Sequence, residues 1–150
     1  MTQQKIYHND IITKVMPLYY SEQLLDHFQN PRNAGIIPDP DGVGTIGDPD
    51  CGDFVCIYIK VRGDRLKEVT FEICGCPASI ATTSVLTELV KGKTLDEAIE
   101  IDEMDVVKAL GNLPPSKIHC SNLGTAALFQ AIAHYRHQQK TQPYKYKTGY

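Results

Sequence analysis

Three of the five cysteines in this chain lie beside residues that favour metal chemistry. They occur in the motifs Cys51-Gly52-Asp53, Gly75-Cys76 and His119-Cys120. Three thiolates suit iron, zinc or an iron–sulfur cluster, whereas a carboxylate or an imidazole is a harder and weaker fourth ligand. The residues therefore predict a metal site that binds firmly but can also release what it binds.

The positions of two of these cysteines also predict reactive thiols. A thiolate at a helix N-terminus is favoured by unsatisfied backbone N–H groups and by the helix dipole, which lower its pKa. Cys120 opens a helical pattern, and Cys76 directly precedes Pro77, a residue suited to the first helical position. We therefore expect a lowered pKa at both thiols.

Composition indicates an ordinary globular protein and excludes several classes of partner. The 150 residues fit one domain, 1–150, and 42% of them are hydrophobic. A net charge of -3 without a basic patch argues against nucleic acid, and residues 1–20 hold no apolar run of signal-peptide length. We expect a cytoplasmic protein with no membrane contact, whose odd number of cysteines serves as ligands or nucleophiles rather than as disulfides.

A β-hairpin is predicted to bring two of the cysteines together. Val55, Ile57, Ile59 and Val61 alternate on one face, and Val69, Phe71 and Ile73 follow after a turn at residues 62–65. Because antiparallel strands return to their starting end, Cys51 before the first strand and Cys76 after the second should reach the same sheet edge.

Helical patterns account for most of the remaining chain. They cover residues 20–30 with Ser21 as N-cap, residues 77–92, a short helix that a Thr94/Glu97 capping box opens, a helix from Asp102 to Leu110, and a long helix over 118–138. A short strand is expected at 42–46, and an extended break at Pro114-Pro115. We predict an α+β fold, in which several α-helices pack against a small antiparallel β-sheet of about three strands. Residues 1–19 should form a poorly ordered leader, 20–138 the domain itself and 141–150 a flexible tail.

Taken together, these motifs resemble the IscU-type (NifU N-terminal-like) iron–sulfur cluster assembly scaffolds. The likeness covers about residues 20–138. It rests on the cysteine motifs above and on the following stretches: Tyr20-Ser21, Asn30-Pro31-Arg32-Asn33, Val90-Lys91-Gly92-Lys93, Leu95-Asp96-Glu97-Ala98 and Leu113-Pro114-Pro115-Ser116-Lys117-Ile118-His119-Cys120.

The resemblance implies a non-enzymatic scaffold that assembles a [2Fe–2S] cluster and passes it to apoproteins. It implies that Cys51, Cys76 and Cys120 bind the cluster, with Asp53 or His119 completing or modulating the site. Iron or zinc would occupy the same ligands in purified protein.

The resemblance also implies a set of protein partners. A cysteine desulfurase would pass persulfide sulfur to a scaffold thiol, for which Cys120 is the first candidate. An Hsp70-type chaperone with its J-domain co-chaperone would grip the extended segment Leu113, Pro114, Pro115, Ser116 and Lys117 during release. Apo iron–sulfur proteins would receive the cluster, and a homo-oligomer is compatible with this role.

Three other interpretations remain open at this stage. The SufU-like branch of the family contains zinc-dependent sulfur acceptors, but it carries an insert between the second and third ligand cysteines and lacks a histidine directly before the third. A structural zinc protein would unfold when a chelator removes the metal. A Cys-His hydrolase would pair His119 with Cys120, but neighbouring side chains on a helix diverge by about 100°.

Two cysteines and one carboxylate have more than one interpretation. Cys74 forms a Cys-x-Cys with Cys76 and is either a spare thiolate or a neighbour, while Cys56 lies off the core face as a packing or surface residue. Asp53 is either a turn residue or a labile ligand, since a carboxylate exchanges from iron more readily than a thiolate. Labile ligation predicts a longer-lived cluster in Asp53→Ala.

Overall fold

The computed structural model describes Val15, Pro17, residues 19–47 and residues 53–141 of the chain. The elements are α1 (Glu22–Gln29), β1 (Gly42–Gly47), β2 (Phe54–Arg62), β3 (Arg65–Cys74), α2 (Pro77–Val90), α3 (Leu95–Ile99), α4 (Glu103–Ala109) and α5 (Cys120–Thr141). The expected α+β fold is confirmed. Most of the predicted leader and all but Thr141 of the predicted tail lie outside the described residues, so both remain predictions.

The three strands form one antiparallel sheet in the order β1-β2-β3. Val55, Ile57 and Ile59 are fully buried on the face that meets the helices, which confirms the predicted alternation. Cys56 lies between them on the other face, where it is also buried and accepts a hydrogen bond from Thr45 Oγ1 at 3.4 Å. Cys56 is therefore a packing residue.

Helix α5 lies against β1 at very short distance because β1 is rich in glycine. A Cβ on Gly44 would lie 2.6 Å from the backbone nitrogen of Ala131 and would overlap the carbonyl of Ala127. Only glycine permits this approach, since any side chain would displace the helix. The contact fixes α5 on the sheet and therefore fixes where its first residue, Cys120, lies.

Helix α2 is the central helix of the domain. Its buried residues include not only Val85, Leu86 and Val90 but also small and polar side chains on the other faces. The apolar stripe predicted from the sequence is therefore too narrow, because α1, α5 and β3 pack around α2. Ile80 and Leu89, which were expected in the stripe, are only half-buried.

Two of the helix caps that the sequence predicts are present in the structure, and a third differs in part. Ser21 caps α1 by accepting from Leu24 N–H, and Asp102 and Asp105 form a reciprocal capping box on α4. At α3 the Thr94 side chain accepts from Glu97 N–H, but its hydroxyl donates to the Glu97 carboxylate at 2.9 Å. One half of the predicted box is therefore present, and in the other half the Glu97 carboxylate accepts from the Thr94 hydroxyl instead of from the Thr94 backbone N–H.

The chain before α5 differs most from expectation. Pro115–Lys117 form a turn of 3-10 helix, closed by Lys117 N–H donating to the Pro114 carbonyl at 2.8 Å, so this segment is not extended throughout. Proline suits the first position of such a turn because its missing N–H has no partner there. Helix α5 then begins at Cys120 rather than Ile118, and it continues past Gln138 to Thr141. Among the described residues, no helix combines the length and the apolar character that a membrane crossing requires.

Candidate metal and cluster site

Two of the predicted ligand cysteines meet at the N-termini of α2 and α5. Cys76 is the N-cap of α2 and Cys120 is the first residue of α5. Their Sγ atoms are 3.6 Å apart, although the whole of α2, α3 and α4 lies between the two residues in the chain. The predicted convergence of Cys76 and Cys120 is thus present in the structure.

His119 reaches the same site from a position just outside the helix. Its Nε2 lies 3.6 Å from Cys120 Sγ, and the imidazole is exposed. The expectation that the two side chains diverge is wrong, because it placed both in the first helical turn. His119 belongs to the preceding turn, where the backbone directs its ring towards the thiol.

Asp53 lies at the same rim, next to the loop that carries Cys76. A Cβ built on Gly75 would be 3.8 Å from Asp53 Oδ1 and would collide with Ser79 Oγ. The absence of a side chain at Gly75 therefore leaves room for Ser79 Oγ, and the Asp53 carboxylate lies at ordinary contact distance from the same position. Cys51 lies outside the described residues, so its place in the site remains a prediction.

The surroundings of Cys76 favour its thiolate. Burial raises the pKa of Cys76, but this effect is outweighed by the side chain and backbone of Ser79, the Cys120 thiol and the positive charge of Lys117. The pKa is therefore lower than the ordinary value of a thiol, as expected for a cysteine at a helix N-terminus.

The surroundings of Cys120 have the opposite effect, which corrects the expectation for this residue. The pKa of Cys120 is raised to about 11, mainly by burial and further by the hydrogen bond and charge of Cys76. The negative charge of Asp53 acts in the same direction, whereas Lys117 opposes it. Only 3% of Cys120 is exposed, so desolvation of its thiolate outweighs the helix dipole. Of the two thiols, Cys76 therefore has the lower pKa and releases its proton more readily.

Polar side chains of α2 hold the two thiols in place. Thr82 Oγ1 contacts the carbonyl of Ser79 at 3.0 Å and that of Cys120 at 3.3 Å. Ser79 Oγ donates to the carbonyl of Cys76 at 2.8 Å. These hydrogen bonds join the first turns of α2 and α5 through buried groups, so the site has a defined geometry before any ligand binds.

The distances between these donor atoms match those around a tetrahedral metal. Two thiolates bound to one zinc at 2.3 Å would lie roughly 3.8 Å apart, and a thiolate and an imidazole roughly 3.6 Å apart. The Cys76–Cys120 and His119–Cys120 pairs, each at 3.6 Å, fit these two edges. Within residues 19–47 and 53–141, however, three such side chains do not form a closed ligand group. A complete site therefore needs Cys51 or a small movement of Asp53 or His119.

Sequence reasoning missed two residues that influence the thiols and assigned another to a different role. Ser79 and Thr82 follow Cys76 by three and six residues, and this helical spacing is the only signal that could have identified them. Lys117 was assigned to the chaperone segment alone, yet its charge lowers the pKa of Cys76 and acts in the same direction at Cys120. Cys74 is exposed at the end of β3.

The fold and the site together define a small α+β protein that has a three-stranded antiparallel sheet and a pair of thiols between two helix N-termini. The chain matches the NifU-like N-terminal domain family over residues 19–142, and it belongs to that family. It is 54% identical over 116 residues to the iron–sulfur cluster assembly scaffold protein IscU 1 of Archaeoglobus fulgidus, covering 77% of this chain and 76% of that protein.

Bacterial relatives and solved structures agree with this assignment. The scaffold protein IscU of Aquifex aeolicus is 46% identical and covers 83% of this chain and 80% of its own length. The Escherichia coli K12 protein IscU is 42% identical and covers 82% of this chain and 98% of itself. A crystal structure of an iron–sulfur cluster assembly scaffold for the SUF system of Fervidobacterium islandicum AW-1 superposes with a TM-score of 0.62 at 28% identity, over 75% of this chain and 96% of that one.

Proposed function

We infer that this chain is an iron–sulfur cluster assembly scaffold, not an enzyme, and we propose that its product is a [2Fe–2S] cluster. The observation that carries the proposal is the Cys76–Cys120 pair, whose sulfurs are spaced at 3.6 Å as two ligands of one metal ion. The relatives named as IscU scaffolds support the same role. In this proposal the cluster is cargo, held by Cys51, Cys76 and Cys120 and completed by Asp53 or His119.

The proposed ligand set explains how a cluster would be both held and released. The thiolates bind iron strongly, while Asp53 offers an oxygen ligand that exchanges more readily. His119 is exposed and lies outside the helix, so its ring can turn away without disturbing α5. Release of the cluster would therefore begin with dissociation of Asp53 or His119, while the buried thiol pair stays in place.

Sulfur would arrive as a persulfide from a cysteine desulfurase, with Cys120 as the proposed acceptor. The Cys120 thiolate would attack the outer persulfide sulfur, forming a new S–S bond while the desulfurase cysteine leaves as thiolate. No net oxidation or reduction accompanies this transfer. The proton that Cys120 gives up has an acceptor in the Cys76 sulfur, 3.6 Å away.

The remaining partners are proposed from the segment that precedes the site. An Hsp70-type chaperone, with its J-domain co-chaperone, would bind Leu113–Lys117. Leu113 is buried and Pro115 is exposed, so binding the whole segment requires it to leave the domain surface. Because His119 and Cys120 follow directly, such a movement would disturb two ligands and favour transfer to apo acceptor proteins. We place this activity in the cytoplasm, since free thiol ligands persist in a reducing compartment.

Cluster assembly on the purified protein tests the proposal. The chain is incubated with iron, cysteine, a cysteine desulfurase and a thiol reductant, which supplies the two electrons that convert each persulfide sulfur to sulfide, and the visible spectrum is recorded with iron and sulfide analysis. We expect the absorption of a [2Fe–2S] cluster in the parent chain and in Cys74→Ser, the matched control at an exposed cysteine. Cys76→Ser and Cys120→Ser should lose it. Equal cluster content in all four proteins would overturn the assignment.

The role of Asp53 is tested by cluster lifetime. If its carboxylate is the labile ligand, Asp53→Ala should hold the cluster longer when a chelator is added. Asp64→Ala provides a control for the loss of one negative charge in a hairpin turn. Loss from Asp53→Ala at the parent rate, or faster, would show that Asp53 does not set lability.

A zinc-dependent sulfur acceptor of the SufU type is the second candidate. It is favoured by the Cys76–Cys120 sulfur distance of 3.6 Å, which suits zinc, and by the similarity to the SUF-system scaffold structure, whereas His119 is a residue that this branch lacks. The two functions differ in sulfur turnover when the desulfurase is in excess and the chain is present in catalytic amounts. If each chain accepts sulfur many times and this requires zinc, the sulfur acceptor is favoured. If each chain takes up only the sulfur that one cluster contains, the scaffold is supported.

A further inference from the structure

An apolar groove lies on the side of the domain formed by α3, α4 and α5. Phe129 on α5 is 57% exposed and Met104 on α4 is 45% exposed, although both are large apolar side chains. Between them lies a cavity of about 460 Å³ that Ile99 and Ile101 also line. We call this surface the α3–α5 groove.

The groove continues along α5 towards the end of that helix. A second cavity of about 280 Å³ shares Ile99, Phe129 and Ile132 with the first and extends to His137 and Lys140. The apolar surface therefore leads to the point where the chain leaves α5 at Thr141.

The two ends of the groove carry opposite charge. Asp102 and Glu103 line the end near α4, and Arg136 and Lys140 line the end near Thr141. Arg136 is engaged by Asp96 at 2.7 Å. A segment that enters the groove at Thr141 and carries positive charge at its far end would therefore be complementary to the acidic end of the groove.

Residues 142–150 have the sequence that such an occupant requires. They read Gln-Pro-Tyr-Lys-Tyr-Lys-Thr-Gly-Tyr and contain lysine as their only charged side-chain type. Pro143 opposes continuation of the helix, because proline lacks the backbone N–H and restricts the residue before it. Tyr144 and Tyr146 alternate with Lys145 and Lys147, so in an extended segment the rings share one side.

The segment is also long enough. Phe129 precedes Thr141 by twelve residues of helix, or about 18 Å at 1.5 Å per residue. Tyr146 follows Thr141 by five residues, which span roughly 17 Å when extended. Tyr146 can therefore return to the level of Phe129, and the long side chain of Lys147 can reach beyond it.

We propose that residues 142–150 fold back along α5 and place Tyr144 and Tyr146 in the α3–α5 groove, with Lys145 and Lys147 towards Asp102 and Glu103. The contact covers the exposed ring of Phe129 and the side chain of Met104. It is independent of the metal site and does not rest on the proposed function.

Photo-crosslinking in the full chain tests this contact. Tyr146 is replaced by p-benzoylphenylalanine, the dilute protein is irradiated, and the products are mapped by peptide mass spectrometry. We expect an intramolecular crosslink to the peptide that contains Met104 or Phe129. Phe129→Ser in the same protein should reduce the yield several-fold, and this exposed position can change without loss of the fold. Crosslinks elsewhere, or only between two chains, would overturn the proposal.

Hydrogen exchange provides a second and independent readout. Deleting residues 142–150 should increase amide exchange around residues 99–104 and 125–132, while deleting residues 1–14 should not. A synthetic peptide of residues 142–150 should restore the protection only at about millimolar concentration, since a short tether supplies an effective concentration of that order. If deleting 1–14 exposes the groove instead, the leader is the occupant and the proposal is wrong.

Discussion

The middle of α2 and its N-terminal end both contain small polar or thiol side chains, but the hydrogen bonds of these side chains differ. In the middle, Thr83 and Thr87 are buried, and each donates its hydroxyl to a carbonyl within the helix. At the end, Cys76 meets Cys120, and the two thiols share one hydrogen bond between two sulfurs that both could ionise. The middle is internally satisfied, whereas the end retains capacity for a ligand.

This difference suggests that stability and metal binding are separable in this protein. Buried polar groups with satisfied hydrogen bonds contribute to one well-defined packing arrangement. Metal binding to a pair of thiols requires that they give up their protons, so such a pair retains capacity for a metal ion. Substitutions in the middle of α2 should therefore change the free energy of unfolding, and substitutions at its end should change metal affinity.

The largest expected effect is on stability, from Leu86→Ala. Leu86 is 1% exposed in the middle of α2, and truncation of such a leucine leaves a cavity that costs about 3 kcal/mol. Leu89→Ala, at a half-buried position on the same helix, is the control and should cost less. Urea unfolding measures both. We expect the folded Leu86→Ala protein to bind zinc as tightly as its parent, and a parallel loss of affinity would contradict the separation.

The reverse separation is expected for Cys76→Ala. The domain core does not depend on this thiol, so the unfolding free energy of the metal-free protein should change by less than about 1 kcal/mol. Zinc affinity should fall by at least the roughly 10- to 100-fold that is lost when a residue hydrogen-bonded to a metal ligand is replaced. Competition with a chromogenic chelator measures the affinity, and Cys74→Ala serves as the exposed control. Unfolding of Cys76→Ala without metal would show that the pair is structural.

A third substitution is expected to affect both stability and metal binding. Thr82→Val removes the hydroxyl that contacts the carbonyls of Ser79 and Cys120, and should cost about 1 kcal/mol while loosening Cys120. Thr83→Val is the matched control, because its hydroxyl donates only to Ser79 within α2. We expect both variants to lose stability but only Thr82→Val to release zinc faster. Equal rates of zinc release from the two variants would show that the Thr82 hydroxyl does not hold Cys120 in place.

The sequence predicted those parts of the fold and site that follow from local pattern. Period-two alternation was sufficient for β2 and β3, and the cysteine motifs were sufficient to nominate Cys76 and Cys120. The sequence predicts a lowered pKa for Cys120, whereas the structure raises it. This difference was not predictable, because it results from burial by elements distant in the chain. The placement of His119 was missed for a similar reason: the start of α5 depends on the turn at Pro115–Lys117 and on tertiary packing, and a shift of two residues altered its direction.

The smallest expected effect is a pH dependence at the far side of α2, where Ser84 contacts α1. Ser84 Oγ accepts from Arg32 N–H at 2.8 Å and forms a second hydrogen bond, also of 2.8 Å, with His27 Nδ1. Burial lowers the pKa of His27 below its usual 6.5, and the positive charge of Arg32 acts in the same direction. Glu88 opposes this shift without reversing it.

Because the folded state binds this proton less readily than the unfolded chain, the contribution of His27 is present above pH 6.5 and is lost as the pH falls below it. Urea unfolding between pH 8 and pH 5 should therefore show a steeper acid loss of stability in the parent chain than in His27→Gln, which cannot titrate. His137→Gln, on the exposed surface of α5, controls for the general loss of a histidine. Parallel pH profiles for all three proteins would mean that the Ser84 contact tolerates the protonated ring, and that the middle of α2 is less strictly satisfied than its hydrogen bonds indicate.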